Sequence, residues 1–491
     1  MRARYSVLVV VVGIAVLMLT FGLPTASARG TSDLSTANVF GHTIIVKPNG
    51  SDDTADLQAA FNTCVSYGPG CTVQLVKGTY HTAQITVYGF QGSFVGAGQG
   101  RTIVQALPNL PSPTADPFWA ALPGQANPWP ALFTFENGAY QISGMTLSEP
   151  YSDAVSPGWD ASVISGPTTE TALLTLMELT GLRAFVSVDH VTVLGAAGDV
   201  DGTNVYNAIT FEGSVLPPGW TNPLADIIPI SGALWVTNSV FNTAESGPWV
   251  DSIANADVTI CYNTILNNPV PLGFFDASAS QLLFCGNHVS GVQFYTAFEA
   301  LQSLYIPGLL PSTVYITDND FQVSDGANAV WLEDFGPVNF GTAPTLSAVV
   351  WGNVFQTDTS CGCYIGSLPA DYSVLLSISL ASFVVSQNTI LGGGAAGVYV
   401  EGGPGVVSGN TILGSYVGVN LNSSNGVHVT GNAIKDSALW GIALTNGSSD
   451  SVVAHNFVTG SGEYDLYWDE TGTGNVWFGN VCQTSSPPGL C

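Results

Sequence analysis

Carboxylates recur at one place in a repeated strand pattern, apolar-x-apolar followed by a single polar residue. The pattern reads FTFE at Glu136, PWVD at Asp251, GFFD at Asp276, TAFE at Glu299, VWLE at Glu333, VYVE at Glu401 and LYWD at Asp469, with ITFE adding Glu212 and TLME adding Glu178 more loosely. Three further copies carry Gly366, Asn422 and Thr445. Acids supply 35 of 491 residues, so twelve positions should hold about one, and nine are acidic. Side chains alternate across a strand, so with the apolar pair facing inward the acid and the residue two before it share the outer face. That second position holds Trp249, Phe274, Trp331, Tyr364, Tyr399 and Tyr467. A strip of aromatics beside a strip of carboxylates suits a sugar polymer, because pyranose C–H faces pack on rings and hydroxyls bond to carboxylates.

Paired carboxylates suffice for glycoside hydrolysis. Asp251, Asp276 and Glu299, expected on consecutive coils, form the candidate catalytic group, with Asp276 as general acid because charges on both sides should retain its proton. Glu212, Trp249, Phe274, Trp331, Glu333, Tyr364, Tyr399 and Glu401 are the candidate substrate-binding residues. No cofactor is required, and calcium between neighbouring carboxylates is the alternative use of such oxygens. The same acids also read as polar residues that keep a long sheet soluble. Two function classes follow: a carbohydrate-active enzyme, and a non-catalytic glycan-binding or adhesion protein.

Elements that present such a column must repeat, and the second half of the chain does. The hexapeptide apolar-x-x-Asn-x-apolar recurs with its asparagine at Asn238, Asn263, Asn287, Asn319, Asn353, Asn388, Asn410, Asn432, Asn456 and Asn480, spaced 22 to 25 residues apart except for three longer steps of 32, 34 and 35. A unit that short cannot bury its apolar face alone and must stack on its neighbours. Alternating strands ending in Gly or Asn turns give an all-β, parallel β-helix of about twelve coils, with the asparagines hydrogen-bonded along the axis. Cys261 and Cys285 lie two residues before successive asparagines and so face each other on adjacent coils, within disulfide reach. Cys64 and Cys71, Cys361 and Cys363, and Cys482 and Cys491 form the other sequence-neighbour pairs. Structural bridges are the expected role for all eight.

Composition narrows the partners. Eight basic residues against 35 acids exclude a nucleic-acid binder, which needs a Lys/Arg patch. Arg2 and Arg4, the apolar run Val7 to Leu23 and Ala26-Ser27-Ala28 make residues 1–28 a signal peptide cleaved after Ala28, with an uncleaved anchor as the alternative. A secreted monomer, free of the membrane after cleavage, is the expectation. The mature chain then keeps six basic residues, which favours a neutral or weakly charged polysaccharide as partner.

The stretch PNGSDDTADLQAAFNTC…GCTVQLVKGTY, Pro48 to Tyr80, contains a short amphipathic helix capped at Asp53 or Thr54, a Gly68-Pro69-Gly70 turn and a strand from Thr72 to Leu75. It resembles the N-terminal cap of the pectin-lyase-like superfamily of right-handed parallel β-helices. The resemblance implies that fold, with residues 29–105 as N-terminal cap and first coil, 106–482 as β-helix and 483–491 as tail. It also implies a bias towards glycans in a superfamily that includes lyases, polygalacturonases, epimerases and non-enzymatic surface proteins. The chain lacks the Gly-His-Gly and Arg-x-Lys elements of polygalacturonases. It is also poor in the cations that lyases of this fold rely on, and both activities are therefore weaker alternatives to hydrolysis of a neutral glycan.

Overall fold

The computed structural model describes residues 41–107, 131–148, 175–195, 207–215, 227–242, 246–251, 253–266, 272–275, 277–292, 296–302, 310–324, 328–334, 345–358, 375–376, 380–392 and 394–491. The expected signal peptide, Asp276, Cys361, Cys363, Tyr364 and Gly366 lie outside the described residues. The unit His42–Cys491 is a β-solenoid. Apart from a short antiparallel pair, Ser214–Val215 with Ile227–Ile228, the strands pair in parallel with the equivalent strands of neighbouring coils. The coil that runs through Ser246–Asp251, Ile253–Cys261 and Thr264–Leu266 stacks on Leu272–Phe275, Gln281–Cys285 and His288–Val292 in that order. Three sheets result, called here the first, second and third.

Strict alternation builds the core. Ser312–Thr317 and Leu346–Trp351 bury every second residue, and their inward side chains stack coil upon coil. Phe321 and Phe355 of the third sheet form one such stack, with ring centroids 5.1 Å apart, and Phe284 of the second sheet packs against Phe321 at 6.0 Å. At the N-terminal end the helix Thr54–Tyr67 (α1) lays Leu57, Ala60, Phe61 and Cys64 over the open coil. Phe61 packs edge-on against Phe90, Phe94 and Phe135. Asp53 occupies the cap position, but its carboxylate accepts hydrogen bonds from the backbone N–H groups of Asn49 and His81 instead of from the helix. It therefore ties the helix entrance to the first coil.

The turn from second to third sheet carries the asparagine ladder. Each Asn Oδ1 accepts the side-chain and backbone N–H groups of the Asn one coil earlier, at 2.9–3.0 Å from Asn263 to Asn480. Each Nδ2 from Asn263 on also donates to a carbonyl of the preceding coil, as Asn287 does to Ile260 at 2.8 Å. The residue before each ladder position has φ between 51° and 69°, a left-handed conformation filled by Gly286, Gly352, Gly409, Gly431 and Gly479 and elsewhere by Tyr262, Asp318, Gln387 and His455. Asn238 is a correction to the sequence reading. It has φ 51° and occupies the left-handed site, so Ser239 takes the ladder position opposite Asn263 and accepts from Val191. Asn tolerates that conformation better than most residues, so one residue type serves two adjacent sites.

Cys261 and Cys285 stand in register and are bridged, as are Cys64–Cys71 and Cys482–Cys491. Replacing Cys261 and Cys285 together by Ser should lower stability by about 2–4 kcal/mol, the usual worth of a bridge of this loop length. Denaturant titration under non-reducing conditions measures it. At the C-terminal end the tail adds a further strand, Ser485–Ser486, against Tyr464–Trp468. Asp465, buried, accepts from the N–H groups of Ser461, Gln483 and Thr484, and Leu490 closes the core.

Candidate active site on the outer face of the first sheet

Pairing register fixes which outer residues of the first sheet are neighbours. Two columns run along the axis. One contains Thr134, Glu178, Thr210, Trp249, Gly273, Glu299, Trp331, Leu375, Tyr399, Asn420, Ala443 and Tyr467 in order. The other lies two residues further along each strand and holds Tyr88, Glu136, Thr180, then Glu212 opposite Asp251. After Asp251 it continues through Leu301 opposite Glu333, and through Glu401 opposite Asn422, itself opposite Thr445. The carboxylates therefore do not form one uninterrupted strip.

Three expected positions shift. Glu299 and Glu178 belong to the aromatic column: Glu299 lies between Gly273 and Trp331. Its flanking residues Phe298 and Ala300 are the buried inward pair, aligned with Val330 and Leu332 around Trp331. The small Ala300 does not register as a core anchor in TAFEA, which is why the pattern places Glu299 two residues late. Phe274 stands in register with Val250 and Ala300, and Gly273 is the residue between Trp249 and Glu299. Leu375 stands in register between Trp331 and Tyr399. A slip of one residue reverses the face of a side chain, and a slip of two moves it along the same face.

Glu299 and Glu333 are the pair the fold brings together. They sit on adjacent strands, Thr296–Gln302 and Asn328–Asp334, offset by two residues, and both are buried, with 5% and 8% of their surfaces exposed. Burial, followed by the charge of Glu333, pushes the Glu299 carboxyl up from 4.5 to about 7. Asp251 lies two strands from Glu299 and is half-buried. Asp334, next to Glu333, has a different task. Its carboxylate accepts from the N–H groups of Thr345 and Leu346 at 2.6 and 3.1 Å and anchors the next strand.

Beyond Glu401 the acids give way to a continuous polar network. Asn422 donates to the Tyr399 hydroxyl at 2.6 Å and to Glu401 at 3.3 Å, while Tyr399 donates to Glu401 at 3.2 Å. Asn446 donates to Asn422 through its side chain and to Asp469 through its backbone. The Thr471 hydroxyl and backbone N–H also donate to Asp469, and hydrogen bonds of this kind hold its carboxyl below its usual pKa against the raising effect of burial. At Asp469 hydrogen-bond donors favour the charged form, whereas at Glu299 burial and a second acid favour the protonated form.

Arg183 lies on the second sheet, its guanidinium 4.9 Å from the centre of the Phe185 ring. Among the described residues, no group of three or more His, Cys, Asp and Glu side chains converges as metal ligands would. Among the same residues, no helix is long and apolar enough to cross a membrane.

Residues 371–484 match the model of the right-handed β-helix region family. Solved structures similar to the chain include the periplasmic alginate epimerase AlgG, at 10% identity and TM-score 0.46, covering 84% of each chain. The catalytic unit of a thermostable GH87 α-1,3-glucanase from Streptomyces thermodiastaticus is similar at 14% identity and TM-score 0.47, covering 90% of this chain and 70% of that one. The Azotobacter vinelandii mannuronan C-5 epimerase AlgE6 A-module is similar at 13% identity and TM-score 0.38, over 89% and 96%. No curated protein sequence matches. The stacked parallel coils, together with the family model that matches residues 371–484, show that the chain has the right-handed parallel β-helix fold.

Proposed function

We propose that the protein is a secreted carbohydrate-active enzyme, a glycoside hydrolase that cleaves a neutral or weakly charged polysaccharide on the outer face of the first sheet. The observation that carries this reading is Glu299, a buried carboxyl raised to about 7 beside Glu333. A carboxyl protonated near neutral pH can donate a proton to a leaving glycosidic oxygen, and an ionised carboxylate beside it can activate water or attack the anomeric carbon. Glu299 is assigned the general acid and Glu333 the second carboxylate. Trp331 and Trp249, in the column of Glu299, offer ring faces to sugars on either side of the scissile bond. Asp251, and Glu212 in register with it, are assigned to binding.

The assignment replaces Asp276 by Glu299 as the acid and keeps export, cleavage after Ala28 and a monomeric mature chain as parts of the proposal. The test is incubation of the mature protein with neutral and acidic polysaccharides from pH 3 to 8, the products being read by mass spectrometry. Fragments that have gained water support hydrolysis. Unsaturated fragments would establish a lyase instead, and glycans that bind but stay intact would establish a docking surface.

A second reading, glycan binding without cleavage, is favoured by the Tyr399–Glu401–Asn422 network, whose groups are held in place by mutual hydrogen bonds. The two readings separate at Glu333→Gln. Removing that charge should lower the pKa of Glu299, although burial keeps it above 4.5, and so move the alkaline limit of activity to lower pH. The pH profile of kcat/KM against wild type reports it; a binding protein has no such profile.

A further inference from the structure

Four coils at the C-terminal end carry a second apolar cluster, separate from the solenoid core. Ala396, Val417 and Ala443 are fully or almost fully buried beneath Tyr399, Leu439, Trp440 and Tyr467. Ala443 belongs to the outer column of the first sheet, so the cluster lies outside the solenoid. The Trp440 and Tyr467 rings stack at 4.1 Å, only 4° from parallel, and Tyr464 lies 6.1 Å from Tyr467. Tyr416 stands at the same end, 48% exposed. Hydrogen bonds fix two of the rings: the Trp440 indole N–H donates to Glu463 at 3.2 Å, and the Tyr399 hydroxyl lies between Asn422 and Glu401. Four aromatics, Tyr399, Trp440, Tyr464 and Tyr467, gathered on one face are more than a solvated surface needs.

We propose that this surface is a distal binding platform for the same glycan, at which a neutral sugar chain running along the helix axis stacks on Trp440, Tyr464 and Tyr467. The proposal rests on the carbohydrate-active reading of the first sheet. Its occupant follows from the chemistry present. Flat rings held by hydrogen bonds offer pyranose faces a pre-ordered surface, Glu401, Glu463, Asn420 and Asn422 offer hydroxyl partners, and the acids disfavour an anionic polymer. The outer column containing Glu299 continues to Tyr467 over six coil steps, roughly 29 Å at ~4.8 Å per step. A polymer can therefore engage both places, and an oligosaccharide too short to span them cannot.

The experiment uses the full mature chain with Glu299→Gln, so that binding is read without turnover. Soluble glucans, xylans, mannans and galactans, each with its own short oligosaccharides, are titrated by calorimetry, and hydrogen exchange maps the bound chain. The expected result is a polymer that binds at least tenfold more tightly than its trisaccharide and protects segments 396–422 and 439–468 as well as 296–334. Trp440→Ala, with an unchanged melting temperature, should weaken polymer binding about fivefold to tenfold and remove the distal protection. Tyr467→Phe, which keeps the ring, should restore wild-type binding in a comparison with Tyr467→Ala. Protection confined to 296–334, affinity unchanged in both alanine variants, dimerisation abolished by Trp440→Ala, or no binding by any member of the panel would each overturn the platform. Failure of the hydrolase reading is separate, since it would show as uncleaved glycan in the wild type while the distal footprint persisted.

Discussion

Glu299→Gln is expected to reduce turnover by about 10²–10⁴-fold while making the protein more stable at neutral pH. The two effects share one cause. The folded state holds the Glu299 carboxyl at about 7 against an ordinary 4.5, so the native chain retains a proton that the unfolded chain has released between those pH values. Stability therefore falls as pH rises from about 4.5 to 7 and stays lowered above. Integrated over the shift, the penalty is about 3 kcal/mol at pH 8. Gln carries no charge and removes it, so the variant's denaturation midpoint should lie above that of wild type at pH 8 and converge with it at pH 4. Loss of activity without that pH-dependent difference in stability would mean that Glu299 is ionised in the fold and is not the proton donor. A general acid with this pKa also sets an alkaline limb near pH 7 in kcat/KM, because only the protonated form can donate.

The largest purely structural effect is expected at the middle of the asparagine ladder. Asn353 Oδ1 accepts both N–H groups of Asn319, and its Nδ2 donates to Ile316 O at 2.8 Å and to Asn388 Oδ1 at 3.0 Å, all buried. Asn353→Ala would remove four buried hydrogen bonds and leave their partners unsatisfied. Unsatisfied buried groups cost about 1–3 kcal/mol each, with partial relaxation, so a loss of roughly 4 kcal/mol is expected. Asn480→Ala, at the more exposed last rung, should cost clearly less, because no further ladder Asn follows it. Because a solenoid couples each coil to its neighbours, the damage should also spread along the axis. Hydrogen exchange of the coils on either side of Asn353 measures it; protection lost only at residue 353 itself would show that the coils are stabilised independently.

The repeat and its turn asparagines were enough to determine the architecture. A period of 22 to 25 residues is too short to fold alone, and only stacking gives each coil a core. The facing of Cys261 and Cys285 followed from the same count, since two cysteines at equal distance before two ladder residues must meet on neighbouring coils. The helix that closes the N-terminal coil was also legible, through its apolar spacing and the turn after it. The aromatic and acidic character of one outer face was legible as well, in Trp249, Trp331, Glu333, Tyr399 and Glu401. These features depend on local pattern and on the two-residue period of a strand.

Register was a different matter. Whether Glu299 stands beside Asp251 or beside Trp331 depends on how many residues each coil spends between its ladder turn and its first strand. That number changes wherever a coil is expanded. Pattern alone cannot count it when an inward anchor is as small as Ala300 or when Asn238 fills a left-handed site next to the ladder. Only hydrogen bonding between coils fixed those positions. It divided the acids into two columns, set Glu299 against Glu333 in a buried place, and left the acids after Glu401 spaced by amides. The proton affinity of Glu299 belongs to this tertiary level, because desolvation and a neighbouring charge are properties of the packed coils and not of the residue or its strand.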